Sequence, residues 1–552
     1  MTATGDFVPT LLDDEAMRGF IVNGFHIVHP ESMGLSSDFH TSIANELSQR
    51  FDDESVRSDA RNAYHDSLLQ ELPALRQLFA DPVVNGALSS ILGRDWSLHS
   101  HSYVHDRFPT TAEQREMVHK DGGFAGCYDG LVTRTRWALL LYYPTAVASD
   151  FGPTEVVPGT HYLFQNPQPD PTIQCTPLTS TAPGTLVISS YELWHRATFN
   201  RATATPRRAR FMLKFMAGRL TEPEAGRPSW ATSSAPSTAP PLCPRLLPPL
   251  WRTADEAKAG DCALRAAHEE AWRWHLGGSS SVEVTGEGDN AIDIGALQRS
   301  LDAPDEAERL AAAIRLGRAG HLAPLLSDLR TKAAEGRRTF LASADSWKED
   351  DGQPTRPEGF FGRRWLVGSA HVGLAAGGRA AAKAVGKLLD SGTEPWWVRA
   401  AAAQTLAEMG KDAAEAAPNL RVALRDEEEW VGLAAAEALG CLAPSIDGAN
   451  ERALADAVLE PVARPVKWPF HANRFRGKWP LVALAKLAGQ QGFSRLPSDA
   501  REAVVTALAS EAGREGTSRV GDPVLRSGAG WWAELGLRRA AGAEQTSPGC
   551  WF

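Results

Sequence analysis

The stretch Val118-His119-Lys120-Asp121-Gly122-Gly123, taken together with Trp194-His195 further along, determines how this sequence is interpreted. It offers two imidazoles and one carboxylate, which are the ligand types of a non-haem iron site. A His-x-Asp triplet alone carries little information. With 15 His and 67 acidic residues among 552, chance supplies about two His-x-Asp/Glu triplets, and His268-Glu269-Glu270 is another one. The surrounding strands and spacings must therefore support the inference.

Short strands separated by turns surround this stretch. Alternating or continuous apolar runs predict strands that begin near Trp96, Trp137, Thr154, Thr185 and Phe211, with Gly/Pro turns between them. Helix-compatible segments precede the strands. Strands without helical crossovers indicate an antiparallel jelly roll, so we predict a cupin-like double-stranded β-helix with bracing helices.

The C-terminal half is helical and repetitive. Trp397-Val398-Arg399 recurs 33 residues later as Trp430-Val431-Gly432, and helix pairs of this period stack into an α-solenoid. The positions of Pro418 and Asp426 resemble the HEAT repeat pattern. We therefore predict a multidomain chain. Its parts are a β-rich domain at 1–225, a Pro/Ser/Gly-rich linker with a short helix at 226–291, a HEAT-like helical repeat domain at 292–520 and a C-terminal tail at 521–552.

Composition excludes several other classes of protein. With 57 basic against 67 acidic residues and a net charge of −10, nucleic acid is not an expected partner. The six cysteines have no Cys-x-x-Cys spacing, which argues against a zinc site and a disulfide framework. The sequence has neither a secretory h-region nor a long apolar run, so we expect a cytoplasmic protein without membrane insertion.

Five separate pieces of the β-rich domain resemble the phytanoyl-CoA dioxygenase family of Fe(II)/2-oxoglutarate oxygenases, and they come in that family's order. The pieces are His119-Lys120-Asp121, Gly152-Pro153 with Pro158-Gly159-Thr160-His161, Gly184-Thr185-Leu186-Val187-Ile188, Trp194-His195, and Asn200 with Pro206-Arg207. The resemblance covers about residues 15–220. It implies that 1–225 is an Fe(II)/2-oxoglutarate dioxygenase domain.

The resemblance also implies roles for individual residues. His119, Asp121 and His195 would be the catalytic iron ligands, leaving sites for 2-oxoglutarate and O2. The distal carboxylate of 2-oxoglutarate requires a bidentate cation, which favours Arg. Arg207 follows Pro206 as in the family and is the first choice. Arg208 is the second; Arg208 and Arg210 would point to the opposite face of the same strand.

Two further residues match family positions near the co-substrate. Trp137 and Arg107 are therefore expected to contribute to cofactor binding. The intact Asp121 also limits the chemistry, because oxygenases of this type that halogenate replace the carboxylate by a small residue. The resemblance thus favours hydroxylation, desaturation or a related oxidation.

Other histidines and tryptophans have simpler interpretations. His161 is expected to stabilise a turn, and His268 is expected to be structural because Trp272 stands where a second zinc-binding His would be needed. His99, His101 and His105 alternate along one strand and are expected to be sheet surface or pocket lining. Trp396, Trp397 and Trp430 follow the repeat, which favours core packing.

The function expected from these observations is Fe(II)- and 2-oxoglutarate-dependent oxidation of a small, apolar metabolite. Two alternatives stay open. The first is a catalytically inactive oxygenase fold that serves as a HEAT-repeat scaffold or adaptor. The second is a protein-side-chain hydroxylase whose HEAT-like region binds the protein substrate. Family membership does not identify the substrate.

Overall fold

The computed structural model describes most of the chain. The described residues are 8–51, 68–110, 118–120, 133–164, 175–201, 209–232, 254–278, 293–344, 349–350, 353–354, 368–390, 392–460, 478–512 and 529–542.

Helices form the first layer of the N-terminal part. They are α1 (Asp14–Asn23), α2 (Ser37–Phe51), α3 (Leu68–Glu71), α4 (Arg76–Ala80) and α5 (Pro82–Leu92). Asp13 caps α1 through its side chain, and Gly24 ends the helix in the left-handed region at φ 81°. At Gly24 a Cβ would stand 2.5 Å from Nδ1 of His161, so the turn into the first strand requires glycine.

Among the described residues of the N-terminal part, eight strands form two antiparallel sheets. They are β1 (Phe25–Val28), β2 (Trp96–Arg107), β3 (Trp137–Tyr143), β4 (Thr154–Val156), β5 (Thr176–Pro177), β6 (Thr185–Ser190), β7 (His195–Ala197) and β8 (Arg210–Arg219). The larger sheet has the order β1-β6-β3-β8-β2 and the smaller one β5-β4-β7. The non-sequential order of antiparallel strands confirms the predicted jelly-roll architecture.

The larger sheet buries both faces against different layers. Ala138, Leu140 and Tyr142 of β3 pack with the bracing helices in one core. Leu139 and Leu141 point the other way and join the core that contains Val156 of the smaller sheet. This alternation explains why β3 reads as a continuous apolar run. We call the interior between the two sheets, towards which Leu139 and Leu141 point, the chamber.

The C-terminal part is a stack of helices. They are α6 (Ala254–His275), α7 (Ile294–Ser300), α8 (Glu306–Arg318), α9 (Leu322–Ala344), α10 (Ser369–Ala376), α11 (Gly378–Gly386), α12 (Trp396–Met409), α13 (Ala417–Ala423), α14 (Glu429–Gly440), α15 (Ala449–Leu459), α16 (Lys478–Ala488), α17 (Ser498–Glu511) and α18 (Ala529–Ala540). A two-stranded hairpin, β9 (Glu349–Asp350) with β10 (Gln353–Pro354), follows α9.

The repeat is visible as a regular stacking of helices. Helices α12 and α14 begin 33 residues apart and pack against each other. Arg399 of the first unit forms a bidentate pair with Asp426 of the next, with both N–O distances at 2.8 Å. Both side chains are buried, so this ion pair fixes the position of one unit on the next. The helical solenoid is therefore confirmed.

The linker and tail regions contain helices that pack on the rest of the molecule. Trp230 is buried and donates to Asp14 at 2.7 Å, so the N-terminal core extends beyond residue 225. Helix α6 contacts α1 and α8, and α18 lies within the segment predicted as a tail. None of the helices formed by the described residues combines the length and apolar character that a membrane crossing requires.

Candidate active site

His119 and His195 lie side by side at one end of the chamber. Each donates its backbone N–H to the carbonyl oxygen of the other, both at 2.8 Å. This pairing brings the imidazole centroids to 4.7 Å, with 51° between the rings. His195 begins β7 and is paired with Val156 of β4. The backbone pairing of the His119 segment with β7 therefore brings together imidazoles that are 76 positions apart in sequence, close enough to bind one metal ion.

A hydrogen bond orients the His195 ring. Its Nδ1 lies 3.0 Å from the carbonyl oxygen of Leu193. A carbonyl oxygen can only accept, so Nδ1 donates, and Nε2 then carries the lone pair that a metal would bind.

Asp121 and Arg207, the other two main residues of the predicted site, lie outside the described residues, as does Arg208. Within the part of the chain that the structure describes, no group of three His, Cys, Asp or Glu side chains could hold a metal ion. The described portion thus supplies two imidazoles, and the carboxylate ligand stays a prediction.

Lys120, between the two predicted ligands of the triplet, is buried and points away from solvent. Its ammonium group donates to the carbonyl oxygen of Leu163 at 2.7 Å and lies 3.4 Å from Oε2 of Glu192. It also lies 5.4 Å from the centre of the Trp194 ring. These contacts tie the His119 segment to the segment that leads into His195.

Trp137 begins β3 and stands on its chamber face. Its carbonyl oxygen accepts from Tyr191 N at 3.2 Å, four residues before His195. Across the sheet it pairs with Gly218, where a Cβ would lie 2.6 Å from the indole ring. The glycine therefore leaves room for the indole to lie against the backbone of β8.

Polar side chains occupy the other end of the chamber. Arg210 opens β8, is fully buried, and donates from Nε to the carbonyl oxygen of Gly152 at 2.9 Å. Its guanidinium carbon lies 5.9 Å from the centre of the Tyr143 ring. Thr185 pairs with Tyr143 in the sheet, and its buried Oγ1 has no hydrogen-bond partner among the described residues. Burial raises the pKa of Tyr143, and Arg210 opposes this shift.

Arg107 is the last residue of β2 and pairs with Arg210 across the sheet. Its carbonyl oxygen accepts from Nδ2 of Asn200 at 3.0 Å, so the backbone of Arg107 anchors the end of the segment that follows β7. The structure thus places Arg107 beside Arg210, and Trp137 against the turn that leads into His195.

His161 and His268 have structural surroundings, in agreement with their predicted roles. Nε2 of His161 lies 3.1 Å from the carbonyl oxygen of Ile21, and burial lowers the pKa of His161 well below its usual value. The ring of His268 packs against Tyr162 at 5.3 Å, and burial lowers the pKa of His268 to about 3. Both imidazoles are therefore neutral.

The residues of the helical part that contact β2 and the segment before β3 were not predicted from the sequence. Trp531 and Trp532 of α18 contact His99, which lies beneath them and not on an open sheet surface. Glu408 of α12 contacts the residues that lead into β3. The adjacent tryptophans in the predicted tail were the available sequence signal for these contacts, but a Trp pair does not identify the residues that it contacts.

Comparison with known families confirms both resemblances. Residues 38–209 match the model of the phytanoyl-CoA dioxygenase family, and residues 379–466 match the model of HEAT repeats. The chain therefore contains a phytanoyl-CoA dioxygenase domain followed by HEAT repeats. No curated protein sequence matches the chain.

Several solved structures are similar to part of the chain. Apo HygX from Streptomyces hygroscopicus is 15% identical, with 38% of this chain and 87% of that chain covered and a TM-score of 0.28. SnoK, a non-haem alpha-ketoglutarate dependent carbocyclase from nogalamycin biosynthesis, is 16% identical over 39% of this chain and 87% of that chain, with a TM-score of 0.30. CytC3 is 15% identical over 39% and 80%, also at 0.30. Because the identities and TM-scores are this low, these structures assign neither residue roles nor a substrate to this chain.

Proposed function

We propose that the chain is an Fe(II)- and 2-oxoglutarate-dependent dioxygenase that hydroxylates or otherwise oxidises a small apolar metabolite. The observation that carries this proposal is the pair of imidazoles, His119 and His195, held 4.7 Å apart by the pairing of their backbones. Together with Asp121 they would supply the two-histidine, one-carboxylate ligand set that iron oxygenases use. The match of residues 38–209 to an oxygenase family supports the same assignment.

The residues described above have distinct tasks in such a reaction. When bound, the iron supplies the oxidising chemistry with dioxygen and 2-oxoglutarate. The Leu193 carbonyl fixes the His195 tautomer and orients its ring. Asp121 would offset the charge of the metal. Lys120 and Glu192 keep the two histidine-bearing segments together.

An arginine would hold the distal carboxylate of 2-oxoglutarate. Arg207 remains the first candidate from the family motif, and Arg208 the second. Arg210 is a third, because its guanidinium is buried at the polar end of the chamber next to Tyr143, whose sheet partner Thr185 has a buried hydroxyl. Lysine substitutions distinguish them: only at the bidentate position should Arg→Lys weaken 2-oxoglutarate binding about tenfold or more.

The apolar lining supports an apolar substrate. Leu139, Leu141, Met212 and Met216 line the chamber side of the larger sheet. Such a surface offers little hydrogen-bonding specificity, so substrate discrimination would depend on shape and on a few polar groups.

The experiment is a screen of small apolar metabolites for substrate-stimulated succinate release. We expect at least one class of compound to stimulate release in the native protein and none to do so in H119A or H195A. The matched control is H321A, which removes an exposed histidine between α8 and α9. If succinate formation survives in both site variants, the ligand assignment is wrong.

The alternatives are separated when the screen is extended by a binding titration and by protein or peptide substrates. A scaffold with an inactive oxygenase fold would bind neither Fe(II) nor 2-oxoglutarate at high protein concentration. A protein-side-chain hydroxylase would release succinate only with a protein or peptide substrate. HEAT repeats commonly bind proteins, so a protein partner for the helical region is part of that second alternative.

A further inference from the structure

The last of the described helices, α18, packs an aromatic cluster onto β2 and β3 of the oxygenase domain. Trp532 of α18 meets Trp137 in an edge-on arrangement, with centroids 6.1 Å apart. The ring centroid of His99 lies 5.1 Å from that of Trp531 and 5.9 Å from that of Trp532. Trp532 is only 1% exposed and Trp137 is only 7% exposed, so both rings are buried where they meet. We call Trp137, His99, Trp531 and Trp532 the aromatic cluster.

A buried charge cluster holds the same end of β3 a few residues earlier. Oε1 of Glu408 accepts from the hydroxyl of Thr133 at 2.8 Å and lies 3.9 Å from Arg134. Its Oε2 lies 3.7 Å from Arg136. Arg136 also forms a bidentate pair with Glu222, at 2.6 and 3.0 Å. One glutamate of the helical region thus contacts three residues of the segment that leads into β3.

Burial makes this cluster sensitive to the loss of any member. Glu408, Arg134 and Arg136 are nearly inaccessible, and a buried charge whose partner is removed is strongly unfavourable. Burial raises the pKa of Glu408, while Arg134 and Arg136 oppose that shift. Burial also acts to raise the pKa of Glu222, but Arg136, Arg134 and Arg219 outweigh it and lower that pKa to about 2.

A second ion pair anchors α18 beside the aromatic cluster. Arg539 forms a bidentate pair with Asp95, at 2.6 and 2.9 Å, directly before β2 begins. The same guanidinium donates from Nε to the carbonyl oxygen of Ala485 in α16. The residues directly before β2 and directly before β3 therefore both form ion pairs with the helical region.

We propose that the HEAT-containing region is a rigid support for the oxygenase site. Glu408 and Trp532 act as positioning residues that hold residues 133–137 in place. Trp137 lies on the chamber face, and its carbonyl oxygen accepts from Tyr191 N at 3.2 Å, four residues before His195. Holding this segment therefore constrains the turn that leads into the proposed iron ligand His195. The consequence for catalysis rests on the proposed function, whereas the mechanical coupling does not.

Hydrogen exchange of the full-length, metal-free protein tests the coupling without any cofactor. The variants are E408Q, which keeps the shape of the side chain but removes its charge, and W532A. The matched control is E451Q, because Glu451 is a buried glutamate that hydrogen-bonds Ser445 inside the helical region. Amides of 133–143 should exchange at least about fivefold faster in E408Q and W532A than in the native protein or in E451Q. W532F retains an aromatic ring and should restore most of the protection.

A second measurement tests the consequence for the site. Anaerobic titration with Fe(II) and 2-oxoglutarate should show at least about threefold weaker 2-oxoglutarate binding in W532A, because an aromatic contact that positions Trp137 is lost. Unchanged exchange in both E408Q and W532A would overturn the proposal. Faster exchange with unchanged 2-oxoglutarate affinity would overturn its catalytic part. If the native protein forms no complex with Fe(II) and 2-oxoglutarate, the proposed function is wrong. The exchange data alone then decide whether the helical region supports residues 133–137.

Discussion

Replacing Lys120 by Met tests how the two histidine-bearing segments are held together. The Lys120 side chain is 1% exposed and that of Glu192 is 7% exposed, with 3.4 Å between the ammonium and the carboxylate. Met keeps the apolar stem but removes the charge, so the buried Glu192 carboxylate loses the Lys120 ammonium. Breaking such a pair costs about 3–5 kcal/mol, so we expect a loss of this size in the free energy of unfolding.

The matched control is K332M. Lys332 also pairs with a glutamate, Glu335, and at a shorter distance of 3.0 Å, but these side chains are 39% and 45% exposed. An exposed pair contributes less than about 0.5–1 kcal/mol. The comparison therefore separates the effect of burial from the effect of distance.

Urea denaturation of the metal-free protein, followed by circular dichroism, is the assay. The double variant K120M/E192L should recover at least half of the loss, since an apolar pair can replace a buried ion pair. K120M should also weaken Fe(II) binding, because the backbone of His119 pairs with that of His195. If K120M costs no more than K332M, the reasoning about this buried pair is wrong.

Three further predictions concern the scaffold. Because the pKa of His268 is about 3 in the folded protein and about 6.5 when unfolded, its contribution to stability is complete above pH 6.5. That contribution falls by about 1.4 kcal/mol per pH unit towards pH 3, and H268Q should reduce the measured pH slope by this amount. G218A should displace Trp137, whose ring would lie 2.6 Å from the new Cβ, costing about 1–3 kcal/mol in urea denaturation and changing the near-ultraviolet circular dichroism. D81A removes acceptors for Val83 N at 2.9 Å and Gly34 N at 2.8 Å and should lower the free energy of unfolding by about 1–2 kcal/mol, with D81N less affected.

Local patterns predicted most of the oxygenase fold. The strands at Trp96, Trp137 and Thr185 were found where alternation or apolar runs place them, because those patterns reflect burial on one or both faces. The HEAT repeats were predicted from the 33-residue recurrence of Trp-Val, which the structure and the family match both confirm.

Contacts between distant parts of the chain could not be predicted in the same way. Glu408 meets Thr133 across 275 positions, and Arg539 meets Asp95 across 444. A single charged residue on a helix carries no local signal of its partner. The segment predicted as a tail therefore gave no indication that α18 covers Trp137.

The sequence predicted only in part which arginines face the chamber. Alternation predicts that Arg208 and Arg210 share a face opposite to that of Arg207. The structure places Arg210 among the chamber residues, beside Tyr143. Which of the three arginines binds the co-substrate stays a prediction, because 202–208 lie outside the described residues.

The most direct test of the central claim is an anaerobic titration of the native protein with Fe(II) and 2-oxoglutarate, monitored by visible absorption. Chelation of Fe(II) by a 2-oxo acid gives a charge-transfer band. The proposed site predicts this band at one equivalent of iron per chain in the native protein, and its loss in H119A, H195A and D121A. An absent band at saturating concentrations, or a band that persists in H119A and H195A, would contradict the assignment of this site.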